Sequence, residues 1–282
     1  MFRLPSRAAA LAAILLFMHG PGLAQAQAPG KPMTMVVPAA AGSAPDIVAR
    51  LLGDELRHRL GQSFIVENKP GAGGIVAVMA AKSAANRDNT LLLVHAAVAT
   101  VTPLTYRAAR FDLAVDFEPV ATVAETPMMF VANQAKGPRS LAEAIAQAKA
   151  SPDAVALGST ARGSIPHLAG VLLGQMTGAQ FNNIPMSGSG QALQAVLGGD
   201  TAMSVDGIAP LLPMVKAGRL LALGVTSSRI LPGLEGLPLA NETVPGLALT
   251  GWFMLLAPRG MPPARLQQIN EGVDAALKAP DL

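Results

Sequence analysis

Met33-Thr34-Met35-Val36-Val37-Pro38, then Ala39-Ala40-Ala41-Gly42-Ser43-Ala44-Pro45, then Asp46-Ile47-Val48-Ala49-Arg50-Leu51-Leu52 follow one another without a break. The first is a short apolar strand closed by proline. The second is a loop of small residues, and the third opens an amphipathic helix. Ile47, Leu51, Leu52, Leu56 and Leu60 recur at helical spacing, and Gly61 stops the run. The order then repeats. Residues 64–67 read as a strand, 68–74 as a tight glycine-rich loop, 75–85 as a helix and 91–95 as a third strand. Strand, loop and helix alternating in this way specify a mostly parallel sheet with flanking helices.

Further along, strands are predicted at 128–132, 155–159, 181–185, 202–205, 220–226 and 249–257. Helices are predicted at 141–150, 166–176, 191–197, 208–217 (despite Pro210 and Pro213) and 262–278. Residues 227–247, rich in Pro, Gly and Leu, read as an irregular connection. Four strand-to-helix junctions share one character: 39–46, 68–74, 159–164 and 187–190 are small, glycine- or hydroxyl-rich and nearly uncharged. In an open α/β sheet such junctions gather at the carboxyl ends of the strands, where ligands bind. Glycine lets backbone N–H groups come close, and helix N-termini add free donors and partial positive charge, so the set suits an anion. Single residues stay open on this reading. Asp46 either caps its helix or meets a ligand. Asp206 is a ligand contact or a solvated loop residue, Arg162 pairs with a carboxylate or points to solvent, and His167 is structural or sits at the site edge.

Residues 1–28 read as an address label. Arg3 and Arg7 start it, 8–18 is an apolar run, and Ala24 and Ala26 supply an A-x-A cleavage signal. Eleven apolar residues are too few for a spanning helix, which needs roughly 20. The leader is therefore expected to be cut near Ala26, releasing a soluble periplasmic protein. The full chain carries 21 basic and 18 acidic side chains, and two of the basic ones leave with the leader. A near-neutral product without a basic stripe is not a nucleic-acid partner. No Cys occurs, which rules out thiol catalysis, thiolate zinc sites and iron–sulfur clusters. The four His, 19, 58, 95 and 167, lack metal-ligand spacing. There is no G-x-S-x-G elbow, and neither a P-loop nor a G-x-G-x-x-G is present in 68–74. No metal or cofactor is expected.

The segments taken together resemble one family. They are Lys31-Pro32 through Val37-Pro38, Gly42 with Asp46-Ile47-Val48-Ala49-Arg50, Val66-Glu67-Asn68-Lys69-Pro70-Gly71-Ala72-Gly73-Gly74, and Phe117-Glu118-Pro119-Val120. Pro166-His167-Leu168-Ala169-Gly170, Gly188-Ser189-Gly190, Leu197-Gly198-Gly199-Asp200, Lys216-Ala217-Gly218-Arg219-Leu220 and Gly251-Trp252-Phe253 complete the run. The chain resembles the extracytoplasmic solute receptors of the tripartite tricarboxylate transporter family, the Bug-type receptors. That resemblance implies a two-lobed periplasmic-binding-protein architecture of the second type. Lobe 1 is expected at 27–126 plus 249–282, and lobe 2 at 127–248. It implies a small carboxylate ligand held in the cleft largely by backbone donors, and membrane permease subunits as partners. By match the ligand-binding residues are Ala41, Gly42, Ser43, Ala44 and Asp46, with Gly71, Ala72, Gly73 and Gly74. Opposite them stand Ser159, Thr160, Arg162, Gly163 and His167, with Ser187, Gly188, Ser189, Gly190 and Asp206.

The chain departs from the family pattern in places. Ala39 and Gly42-Ser43 replace an aromatic and a glycine pair, Pro185-Met186-Ser187-Gly188 replaces Pro-Tyr-Lys-Gly, and Arg162 stands where an uncharged residue is common. Relatives also continue past Leu282 with a strand and a long helix, so the C-terminus is expected to be truncated. Two rivals accompany the receptor: a periplasmic α/β hydrolase or lyase using the same cleft, and a truncated inactive receptor. The missing nucleophile–base pair and metal cluster disfavour the enzyme. Export is directly testable. N-terminal sequencing of secreted protein is expected to start near Gln27, and retention of Met1 would remove the periplasmic assignment.

Overall fold

The computed structural model describes residues 31–280 and residue 282, so the expected leader lies outside them. Among the described residues nine strands form: β1 Met33–Val37, β2 Phe64–Asn68, β3 Thr90–His95, β4 Phe117–Asn133, β5 Ala156–Ser159, β6 Asn182–Pro185, β7 Met203–Gly207, β8 Leu220–Val225 and β9 Thr250–Pro258. The main helices are α1 Ala44–Leu60, α2 Ile75–Lys82, α3 Ala96–Thr100, α4 Leu141–Ala150, α5 Ile165–Thr177, α6 Ser189–Gly198, α7 Ile208–Lys216 and α8 Pro263–Leu277. The strand order is β2-β1-β3-β9-β4-β7-β5-β6, with β8 also on β4.

Why β3 is an unbroken apolar run becomes clear from its two faces. Leu91 and Leu93 pack into a core with Leu52, Leu56, Ile269 and Val273, while Leu92 and Val94 join Val78 and Phe117 on the other side. A strand buried on both faces has no polar side to alternate with. The second half of β4 follows the same rule. Met128, Phe130 and Ala132 face Leu157 and Leu173, and Met129 and Val131 face Val196 and Leu211. Helix α1 ends where glycine was expected to stop it, with Gly61 in the left-handed region at φ 62°.

Two expectations need correction. The sheet is mixed, not mostly parallel. β1–β2, β1–β3, β5–β6 and β5–β7 are parallel, but β3–β9, β4–β9, β4–β7 and β4–β8 are antiparallel. The parallel pairs are those joined through helices, whereas β4 and β9 run back across the middle. Strand β4 also starts at Phe117, well before 128. Pro119 and Pro127 hid its first half, because proline cannot donate to a ladder. The register with β9 shifts at Pro119/Ala121 and again at Thr122/Ala124, so irregular pairing accommodates that half. Smaller differences are at the ends. The helix predicted at 75–85 stops at Lys82, and 227–247 contains a helical turn, Ala240–Thr243.

Strand β4 changes partner in mid-course. Its residues through Pro127 pair with β9, and Met128 onward pair with β7 and β8. Thr226, fully buried just after β8, fastens this point. Its hydroxyl accepts from Met128 N–H at 2.8 Å and donates to the Leu249 carbonyl at 2.6 Å. Its own backbone donates to Met128 O and accepts from Leu249 N–H. Thr226→Val keeps the shape and removes both hydroxyl bonds, stranding buried groups that each cost about 1–3 kcal/mol. Urea melts are expected to show a loss of about 2 kcal/mol or more, with Thr226→Ser much closer to wild type. Equal midpoints for valine and wild type would show that the hydroxyl does not hold the crossing.

Candidate functional site

The strand ends feed helices whose first turns converge on one cavity of about 520 Å³. Ser43, Ala44 and Pro45 begin α1, and Gly74 precedes α2. His95 and Ala96 begin α3, Ser164, Ile165 and Pro166 begin α5, Gly188 and Ser189 begin α6, and Gly207 precedes α7; all line the cavity. Among these six starts, only Ser164 caps its helix through a side chain, accepting from His167 N–H at 3.2 Å. The uncapped first-turn N–H groups lack intrahelical partners, and their dipoles place partial positive charge at the cavity. The walls between them are apolar, from Ala39, Ala40, Val101, Met128, Trp252 and Phe253.

The second loop owes its shape to backbone that only small residues tolerate. Gly71, Gly73 and Gly74 all have positive φ, and so does Ala72 at 48°. Gly73 also touches Tyr106: a Cβ there would sit 2.6 Å from the ring. Thr102 Oγ1 donates to Gly73 O at 2.6 Å, fixing the loop from below. Across the cavity the fourth loop approaches the first closely. A Cβ on Gly188 would lie 2.9 Å from Ala40 Cβ, so glycine is what allows that approach.

Of the residues proposed from the sequence, the structure brings Ser43, Ala44, Gly71, Ala72, Gly73, Gly74, Thr160, Arg162, Gly163, Ser187, Gly188, Ser189 and Asp206 to this one cavity. Six others stand off its wall. Ala41 and Gly42 are exposed, as is Gly190. Ser159 is fully buried at the end of β5. His167 accepts from Gly163 N–H through Nδ1 at 3.4 Å, and burial with the nearby Arg162 charge holds its pKa low. Asp46 is a builder of the first loop. It accepts from Gly42 N–H at 2.8 Å and pairs with Arg50 at 2.9 Å, and Arg50 reaches Asn68, whose amide donates to Ala39 O. Burial alone would raise the Asp46 pKa, but Arg50, Gly42 and Asn68 hold it below the usual carboxylate range. Sequence reasoning missed His95, Thr102, Thr105, Tyr106, Thr126, Met128, Trp252 and Phe253, which also line the cavity. Only Trp252 and Phe253 gave a signal, as part of a family-like motif. Among the described residues, no group of three His, Cys, Asp or Glu could hold a metal ion.

Two titratable groups in the wall are displaced in opposite directions. Burial raises Asp206 to about 6, with the Ser189 hydroxyl and Gly207 N–H opposing it. The Gly207 bond is short at 2.7 Å, while the Ser189 hydroxyl, though close, lacks hydrogen-bonding geometry. Burial lowers His95 to about 4, with Pro38 backbone opposing. A raised acid contributes stability at low pH that is lost as pH rises to about 6. A lowered base contributes stability that grows as pH rises from about 4. The two slopes oppose each other between about pH 4 and 6. Relative to wild type, Asp206→Asn should therefore gain stability more steeply from pH 4.5 to 6.5, and His95→Gln less steeply. Urea midpoints at the two pH values measure this, and identical slopes in all three proteins would mean neither group is displaced.

Comparison with known proteins matches this architecture. The model of the tripartite tricarboxylate transporter family receptor matches residues 48–282. Protein BugT of Bordetella pertussis is 34% identical over 275 residues, covering 95% of this chain and 84% of its own length. Among solved structures, Rpa4515 of R. palustris with adipate superposes with a TM-score of 0.85 at 30% identity, covering 90% of this chain and 85% of that one. MatC from Rhodopseudomonas palustris with bound malate gives 0.81 at 30% identity, covering 90% and 87%. The chain has the two-lobed α/β fold of periplasmic binding proteins and belongs to the receptor family of the tripartite tricarboxylate transporters, a family of binding proteins and not of enzymes.

Proposed function

We propose that this chain is an extracytoplasmic solute receptor that holds a small carboxylate-bearing ligand between its lobes and delivers it to the membrane permease of a tripartite tricarboxylate-type transporter. One observation carries the reading: six helix starts, five without side-chain caps, line a single mostly apolar cavity. Free backbone donors with partial positive charge suit a carboxylate, and apolar walls suit the body that bears it. The relatives solved with adipate and malate support the same ligand class. The lobes are taken as 27–126 with 249–282, and 127–248. The change of β4 partner between Pro127 and Met128 and the Thr226–Leu249 tie support those limits. No described helix is long and apolar enough to cross a membrane. The leader is taken to be cut near Ala26 on export.

The ligand residues are those of the predicted loops that reach the cavity, with Gly71–Gly74 donating from one lobe and Ser187, Gly188 and Ser189 from the other. A thermal-shift screen of di- and tricarboxylates, amino acids and aromatic acids tests the function, since a ligand preferring the native state raises its melting temperature. Failure of every acid to shift it would overturn the reading. Gly73→Val tests the site. Its φ of 63° strains a branched residue, and its side chain would displace Tyr106. The variant is expected to keep its far-UV spectrum and lose at least about tenfold in affinity, near the cost of one displaced donor. Unchanged affinity would put the site elsewhere.

A further inference from the structure

The cavity is electrically lopsided, and that constrains what it accepts. Asp206 is 4% exposed at the end of β7, and it lines the cavity. One carboxyl oxygen takes the N–H of Gly207, and Oδ2 is buried near the Ser189 hydroxyl but makes no hydrogen bond with it. Among the described residues, no Lys, Arg or His stands within ion-pair distance of it. Its pKa of about 6 leaves it mostly ionised at neutral pH. A buried carboxylate with one hydrogen bond is short of donors, and a low-dielectric wall lets its field reach into the cavity. The cation of the lining, Arg162, is exposed on the loop after β5 and makes no ion pair among the described residues. An anion is thus favoured at the glycine loops and at Arg162, and opposed beside Asp206.

We infer that Asp206 is a specificity determinant, selecting a ligand with one carboxylate and, at the end that comes to Asp206, a hydrogen-bond donor such as a hydroxyl or ammonium. A second carboxylate at that end would face a like charge with no cation between them, which is costly in a desolvated site. A donor would complete the unpartnered oxygen, with a small turn of the side chain. The inference rests on the receptor reading above and narrows it, for this chain, away from simple dicarboxylates.

The probes are straight-chain acids of four to eight carbons, each ending in methyl, hydroxyl, ammonium or a second carboxylate. Affinities for wild type and Asp206→Asn are measured by calorimetry at pH 7.5. In wild type a hydroxyl- or ammonium-ended acid is expected to bind at least about tenfold tighter than the dicarboxylate of the same length. The two arms tell which donor is preferred. Asp206→Asn removes the charge and is expected to shrink that ratio to about threefold or less, or to reverse it. A wild type that prefers the dicarboxylate overturns the inference, and so does an unchanged ratio in the variant. The wild-type rank order decides alone if the variant fails to fold. If no acid of any length or ending binds, the receptor reading itself falls; binding with the wrong order sinks the role of Asp206 only.

Discussion

A single hydroxyl sits where the central strand β4 changes partners. Thr226 joins Met128, where β4 leaves one set of partners for another, to Leu249, where the chain returns toward β9. Each of these passages exposes backbone groups that have left one ladder and not yet entered the next. Buried groups of that kind must be paired. The threonine side chain serves both with one oxygen, because it can accept and donate at once. The knot sits where β4 passes from pairing with β9 to pairing with β7 and β8.

Helix direction follows from that arrangement. Once the strands are fixed, the carboxyl ends of β1, β2, β3, β5, β6 and β7 lead to one cavity, and the helices that follow them start there. The helix starts are left largely uncapped, so the donors that a serine or aspartate would normally satisfy remain available. Where a carboxylate does approach a helix start, as Asp46 does, it is consumed by Gly42 and Arg50 and shapes the first loop. The small residues of the second loop serve the same end, because positive φ at three glycines turns the backbone toward the cavity and lets Tyr106 pack directly against it.

Charge in the cavity wall is scarce and opposed. Asp206 and His95 are each burdened by burial, and each is pushed toward its neutral form. Their effects on stability run in opposite senses over the same acid range, so the fold tolerates both. The remaining polarity comes from backbone dipoles, from hydroxyls such as those of Thr102, Thr105, Thr126 and Thr160, and from Arg162 at the exposed side, an arrangement suited to holding a ligand.

The sequence by itself determined the alternation of strands and helices, the small-residue loops and the family. Those are local properties: helical spacing in α1, the stop at Gly61, and glycines that only a tight loop needs. It could not show the first half of β4, because Pro119 and Pro127 look like strand breakers until bulged pairing with β9 accommodates them. Nor could it sort Asp46 from Asp206. Both are aspartates at a strand–helix boundary, and only packing made one a loop brace with a depressed pKa and the other a buried acid with an idle oxygen. His95 and Tyr106 joined the site from elements with no loop signature, since which distant residues share a cavity depends on how the strands order themselves in space. That order is set by long-range pairing, and periodicity along the chain carries no record of it.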